Sequence, residues 1–318
     1  MPSSPHSSPS FAEPSSPFSA ASRPLAASGA SAPPEKAPLM RLDALLERWE
    51  QEAALLYQAR QSGVPRGPVT GLGKLDESLG GHLAPGVHIL HGQPGTGKSA
   101  FALQIAASCG VPALFVSCEM AALELLIRHT ARVTGTYLGR LKSGELAPHE
   151  SLSLARRSAG AAPLLCLLDA TTAPARPDHL LDCSWIARGD SSAFLIVLDS
   201  VQSWAEALGQ GATEYETLNQ ALAALRGLAH VLGCPILAIS ERNRESMSGG
   251  GLSAGAGSRK IEYGAETVID LTRELNAMPD AHGEVPVTVK LVKNRHGGAG
   301  KTIALGFHGA LQRFSIAG

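Results

Sequence analysis

The chain has 318 residues, 44% hydrophobic and 17% charged, which is enough for one sizeable α/β domain with a tail but not comfortably for two full domains. Its 27 Lys and Arg against 28 Asp and Glu leave a formal net charge of −1, so no global basic field exists to hold nucleic acid and any such contact must come from a local cluster. No run approaches the roughly 18–20 apolar residues of a membrane span, and the scattered cysteines Cys109, Cys118, Cys166, Cys183 and Cys234 form no C-x-x-C pair; the expectation is a soluble, cytoplasmic protein with reduced thiols and no membrane partner.

Residues 1–37 are mainly Ser, Pro and Ala, with too little apolar surface to offset the entropy of ordering, which predicts a disordered tail. Arg23 is the one basic residue before Lys36, which argues against a transit peptide. From Leu39 onward Leu42, Leu45, Leu46, Trp49, Ala53 and Leu56 recur at helical spacing, predicting an amphipathic helix to about Gln61. Its stripe needs a partner, either its own domain or a neighbouring subunit, and 62–68 reads as a linker. Residues 38–68 are thus a helix and linker ahead of a domain at 69–318.

Within that domain β-rich runs at 87–91, 113–117, 164–168, 194–198, 235–239, 267–271, 285–292 and 303–307 alternate with helical patterns. Several are apolar throughout, as strands covered on both faces are. This predicts an α/β fold, a mainly parallel sheet flanked by helices, with antiparallel strands at the C-terminal edge.

Gly92-Gln93-Pro94-Gly95-Thr96-Gly97-Lys98-Ser99 matches G-x-x-x-x-G-K-[ST] in full, after an apolar run and before a helical one that starts at Ala100. Residues 92–100 then cradle phosphates with main-chain N–H groups at a helix N-terminus. Lys98 reaches the β- and γ-phosphates and Ser99 ligates Mg²⁺, making ATP and Mg²⁺ the expected cofactors. Phe194-Leu195-Ile196-Val197-Leu198-Asp199 is an apolar strand ending in a carboxylate, and Phe115-Val116-Ser117-Cys118-Glu119 is another. In a parallel sheet both acids emerge at the edge where phosphates sit. Asp199 is placed to hold the metal and Glu119 to deprotonate the attacking water, helix capping being the plainer role open to each.

Over residues 69–314 the chain resembles the C-terminal motor domain of the DnaB-type replicative helicases, which are ring-forming RecA-like P-loop NTPases. Thr70-Gly71-Leu72-Gly73-Lys74-Leu75-Asp76 is similar to that family's T-G-x-x-x-L-D, Ser117-Cys118-Glu119-Met120 to S-x-E-M, and Asp199-Ser200-Val201-Gln202 to D-x-x-Q. Ser240-Glu241-Arg242-Asn243-Arg244 is similar to S-Q-x-N-R, Ile261-Glu262-Tyr263-Gly264-Ala265-Glu266 to I-E-x-x-A-D, and Lys293-Asn294-Arg295-His296-Gly297 with Gly300, Leu305, Phe307, Arg313 and Phe314 to a K-x-R-x-G ending. The resemblance implies that Glu119 is the catalytic glutamate. It implies that Lys293 and Arg295 reach the ATP of the adjacent subunit, Arg295 as an arginine finger, and that Ser240 and Glu241 sense the γ-phosphate. Glu241 departs from the usual Gln, and an acid beside polyphosphate repels it unless turned toward a cation. Ahead of residue 69 the expectation is a disordered tail and one helix where the family carries its N-terminal domain.

Arg242, Arg244, Arg259 and Lys260 flank a Ser/Gly-rich core at 246–258. In RecA-like rings the corresponding loop faces the central pore, where a few cations per subunit track phosphates; a surface loop with no ligand is the alternative. Together these features imply an ATP-driven helicase or translocase of DnaB type acting on single-stranded DNA as a homo-oligomer, a hexameric ring with ATP at its interfaces. A RadA- or KaiC-like regulatory or recombination ATPase is the other reading, because Asp199-Ser200-Val201-Gln202 also resembles the Walker B strand end of RecA and RadA proteins.

Overall fold

The computed structural model describes residues 39–209, 213–241, 264–274 and 277–316. The predicted tail at 1–37 and the four cations Arg242, Arg244, Arg259 and Lys260 lie outside these residues. The chain divides into two compact units, 1–55 and 56–318. A 3₁₀ turn at Asp43–Leu45 precedes helix α1 (Leu46–Ser62), which buries none of its side chains. The helix predicted from Leu39 therefore starts later than its apolar pattern does, and Leu46, Trp49 and Leu56 of the stripe stand exposed.

In the second unit α2 (Gly73–Ser78) leads to β1 (Gly86–Gly92), α3 (Lys98–Ser108), β2 (Ala113–Ser117), α4 (Ala122–Thr134), α5 (Leu138–Lys142), α6 (Pro148–Gly160), β3 (Leu165–Asp169) and α7 (Pro177–Arg188). There follow β4 (Leu195–Asp199), α8 (Val201–Leu208), α9 (Glu214–Leu232), β5 (Pro235–Glu241), β6 (Thr267–Arg273), β7 (Val285–Asn294), β8 (Thr302–His308) and β9 (Arg313–Ile316). Among the described residues the strands form one sheet in the order β3-β2-β4-β5-β1-β6-β7-β8-β9. Pairing is parallel from β3 to β6 and antiparallel from β6 to β9. This is the RecA-like sheet that the sequence predicts. All eight predicted strands are present and β9 is additional.

The continuously apolar strands are explained by cover on both faces. Leu195 and Val197 of β4 pack with Phe101 and Ile105 of α3, whereas Ile196 and Leu198 pack with Trp204 of α8 and Leu225 of α9. Trp204 can be fully buried because its indole N–H donates to Ala175 O at 2.7 Å. Helix α9 starts on a capping box, Thr213 Oγ1 accepting from Glu216 N and Glu216 Oε2 from Thr213 N, and stops at Gly233 in the left-handed region. Parallel register then aligns the strand ends that matter: Gly92 pairs with Glu241 and Ser117 with Asp199.

Candidate active site

Strand β1 delivers the chain at Gly92 into the turn that opens α3. A Cβ at Gly92 would stand 2.7 Å from Leu271 O and 2.8 Å from Thr96 Oγ1, and one at Gly97, where φ is +93°, would stand 3.0 Å from the Phe314 ring. Only glycine fits both places. The turn leaves the N-terminal N–H groups of α3 and the positive end of its dipole facing a cleft of about 340 Å³. Lys98 folds back across this turn, its Nζ donating to Gly92 O at 2.9 Å and Gln93 O at 3.1 Å, with Glu241 Oε1 at 3.9 Å. Burial lowers the pKa of this ammonium, opposed by Glu241 and then by Asp199 and Glu119.

Because β2 and β4 are neighbours, Glu119 and Asp199 reach the same cleft, and Cys118 N donates to Asp199 O at 2.7 Å. Asp199 is 1% exposed, and its Oδ2 has no hydrogen-bond partner among the described residues. Burial raises its pKa to about 6; a hydrogen bond from the Ser99 side chain opposes the rise, and the Glu119 charge adds to it. A buried carboxylate oxygen without a donor, beside a hydroxyl at the foot of the phosphate loop, is a donor set that fits a hard divalent cation such as Mg²⁺. Glu119 Oε1 accepts from Ser200 Oγ at 2.5 Å and Ser203 Oγ at 2.7 Å, which fixes it against the start of α8.

From the same helix Gln202 Nε2 donates to Ser240 Oγ at 2.9 Å, and Gln202 Oε1 accepts from Glu241 N at 3.3 Å. The predicted sensor pair is thereby tied to the helix that follows Asp199. The cleft also has two polar lining residues that sequence reasoning passed over, Arg128 and Gln312. Arg128 Nη1 donates to Gln312 Oε1 at 2.7 Å and its Nε to Glu124 Oε1 at 3.0 Å. The one signal in the sequence was Arg128's place on the helix after Glu119.

Lys293 and Arg295 are not brought to this cleft within the chain. Asn294 pairs with Thr267 and Thr267 with His88. Arg295 therefore stands near the N-terminal edge of the parallel strands and Lys293 two residues nearer their middle, level with Ile89, whereas the phosphate loop leaves the C-terminal edge. The strand steps from His88 to Gly92 alone span roughly 13 Å. At its own edge Arg295 Nη1 donates to Glu266 Oε1 at 2.9 Å, its main-chain N–H donates to Glu266 O at 3.1 Å, and His296 Nε2 lies 3.3 Å from Glu266 Oε2.

A parallel sheet whose β1 opens into a complete phosphate loop, with an acid just beyond β2 and another at the end of β4, defines a P-loop NTPase of RecA-like type. Residues 67–316 match the DnaB-like helicase C terminal domain, and the chain belongs to that family. It is 29% identical over 262 residues to the replicative DNA helicase DnaB of Treponema pallidum, an alignment covering 78% of this chain and 56% of that protein. The chain spans about half the length of the curated relatives it matches. Its fold is similar to that of a DnaB-like replicative helicase described with its interactions with primase, with TM-score 0.69 and 18% identity over 87% of this chain and 67% of that one. It is less similar to the RadB recombinase, with TM-score 0.50 and 18% identity over 78% and 99%. Among the described residues no helix is long and apolar enough to cross a membrane.

Proposed function

We propose that this chain is a cytoplasmic, ATP-hydrolysing motor of DnaB type that couples turnover to movement on single-stranded DNA as a homo-oligomeric ring. One observation carries the reading: Lys98, Ser99, Asp199 and Glu119 meet in one cleft while Arg295, with Lys293 two residues before it, stands toward the opposite edge of the sheet. Residues 92–100 bind the phosphates of ATP, and Ser99 and Asp199 hold Mg²⁺, which when bound offsets charge on the outer phosphate oxygens. Glu119, held by Ser200 and Ser203, takes the proton of the attacking water. Ser240 and Glu241 face the terminal phosphate. A cation at the wrong edge of its own sheet serves a nucleotide across a subunit boundary, so Arg295 acts as the finger on the neighbour's ATP with Lys293 beside it. Such a guanidinium is worth roughly 10³–10⁵ in rate.

Arg242, Arg244, Arg259 and Lys260 supply the DNA contacts, which repeated around a ring track phosphates without a basic net charge. Residues 38–68 are the helix and linker that lead into the ATPase domain at 69–318. A RadA- or KaiC-like ATPase without unwinding activity is the second reading, supported by the likeness to the RadB fold. ATP turnover with and without single-stranded DNA, together with the particle mass in the presence of nucleotide, separates the two. The motor reading expects DNA to raise turnover and nucleotide to give a mass several times the monomer's; a rate that ignores DNA favours the second reading.

A further inference from the structure

Three carboxylates face one ammonium in the phosphate cleft, and they are not equivalent. Asp199 has the Ser99 hydroxyl and an oxygen open to a cation. Glu119 has two hydroxyl donors. Glu241 is turned instead toward Lys98, with Oε1 3.9 Å from Nζ and its side chain 47% exposed. It is the last residue of β5, and its main chain is pinned on both sides, N–H donating to Gln202 Oε1 and C=O accepting from Gln202 Nε2, each at 3.3 Å. The strand end cannot withdraw without breaking these bonds, so the residue that carries the charge stays level with Gly92 at the cleft.

The lysine of a phosphate loop is the group that meets the outer phosphates. An acid already paired with it competes for the same cation. We propose that Glu241 sets the nucleotide preference of this site: it opposes the γ-phosphate at Lys98, so that a nucleoside diphosphate is held relatively more firmly than a triphosphate. The proposal rests on the phosphate-loop reading given above. The γ-phosphate carries the charge by which the triphosphate exceeds the diphosphate, so a carboxylate a few ångströms away penalises the triphosphate more than the diphosphate. In a half-exposed cleft that penalty is about tenfold in relative affinity, and salt weakens it.

The test is titration of the full chain, with Mg²⁺ present, against a fluorescent diphosphate and a fluorescent non-hydrolysable triphosphate of adenosine. Wild type is compared with Glu241→Gln and Glu241→Asp, whose melting curves are matched first. The triphosphate-to-diphosphate affinity ratio is expected to rise about tenfold in Glu241→Gln at low salt, to rise less as ionic strength increases, and to stay near the wild-type value in Glu241→Asp. Binding of both nucleotides with an unchanged ratio in Glu241→Gln overturns the proposal. So does a lower ratio, which would show Glu241 assisting the γ-phosphate through a cation. If the wild-type chain takes up neither nucleotide, the phosphate-loop reading itself fails and this proposal falls with it.

Discussion

Burial of the Asp199 carboxylate makes its ionisation costly, because Oδ2 has no donor among the described residues to replace water. Its pKa rises from 3.8 to about 6. The folded value lies above the unfolded one, so the folded state keeps the proton longer, and stability is lost as pH climbs from about 4 through 6, by up to about 3 kcal/mol. Asparagine carries no charge to desolvate. Asp199→Asn should therefore melt higher than wild type above pH 6 in chelator, with the two curves converging toward pH 4; equal melting across that window would show that the carboxylate is solvated. On the proposed metal site, added Mg²⁺ and ATP should raise the melting temperature of the wild type and not that of this variant. Lys98, Ser99, Glu119 and Asp199 were legible in the sequence because each lies in, or just beyond, an apolar strand and its covalently attached loop. Arg128 and Gln312 were not, since their 2.7 Å contact joins α4 to the turn before β9 across the fold, and no local pattern encodes such a meeting.

Strand β9 shows how an element escapes a reading by pattern even when its residues match a motif. Arg313 and Phe314 fit the family ending, but a strand of four residues after Gln312 in the left-handed region is too short to display an alternation. Its contacts give it weight. The Phe314 ring stacks on Phe307 at 4.3 Å and meets Phe101 of α3 edge-on at 5.0 Å. As the outermost strand β9 would leave main-chain groups unpaired. Gln104 of α3 closes them, donating to Phe314 O at 3.0 Å and accepting from Phe314 N at 2.9 Å. The helix that begins with Lys98 is thus fastened to the sheet edge at Phe314, the residue whose ring also limits the space at Gly97. Gln104→Ala strips both partners from a half-buried strand and should lower unfolding stability by about 1–3 kcal/mol. That would appear as a lower denaturant midpoint at unchanged slope; an unmoved midpoint would mean that water replaces the amide without cost.

At the scale of the whole molecule, strand content was readable from apolar runs, whereas strand order was not, because neighbours such as β1 and β5 or β1 and β6 are joined only through long excursions of chain. That order fixes the functional geometry. It sets Gly92 level with Glu241 at one edge and puts Arg295 beyond Asn294 at the other, so within one subunit the phosphate loop and Arg295 do not meet, and the proposed finger must act on a neighbour. Two defective chains should then repair each other. Lys98→Ala loses the cradle and keeps Arg295; Arg295→Ala keeps nucleotide binding and turns over roughly 10³-fold or more slowly. In rings assembled at random from equal amounts of both, about a quarter of interfaces pair an intact cradle with an intact finger. Co-refolded mixtures should hydrolyse ATP well above the sum of the separate variants, and the gain should vanish when both substitutions are placed in every chain. Absence of any gain, with mixed assembly verified by mass, would mean that Arg295 serves its own subunit or none, and the ring-interface mechanism would have to be abandoned.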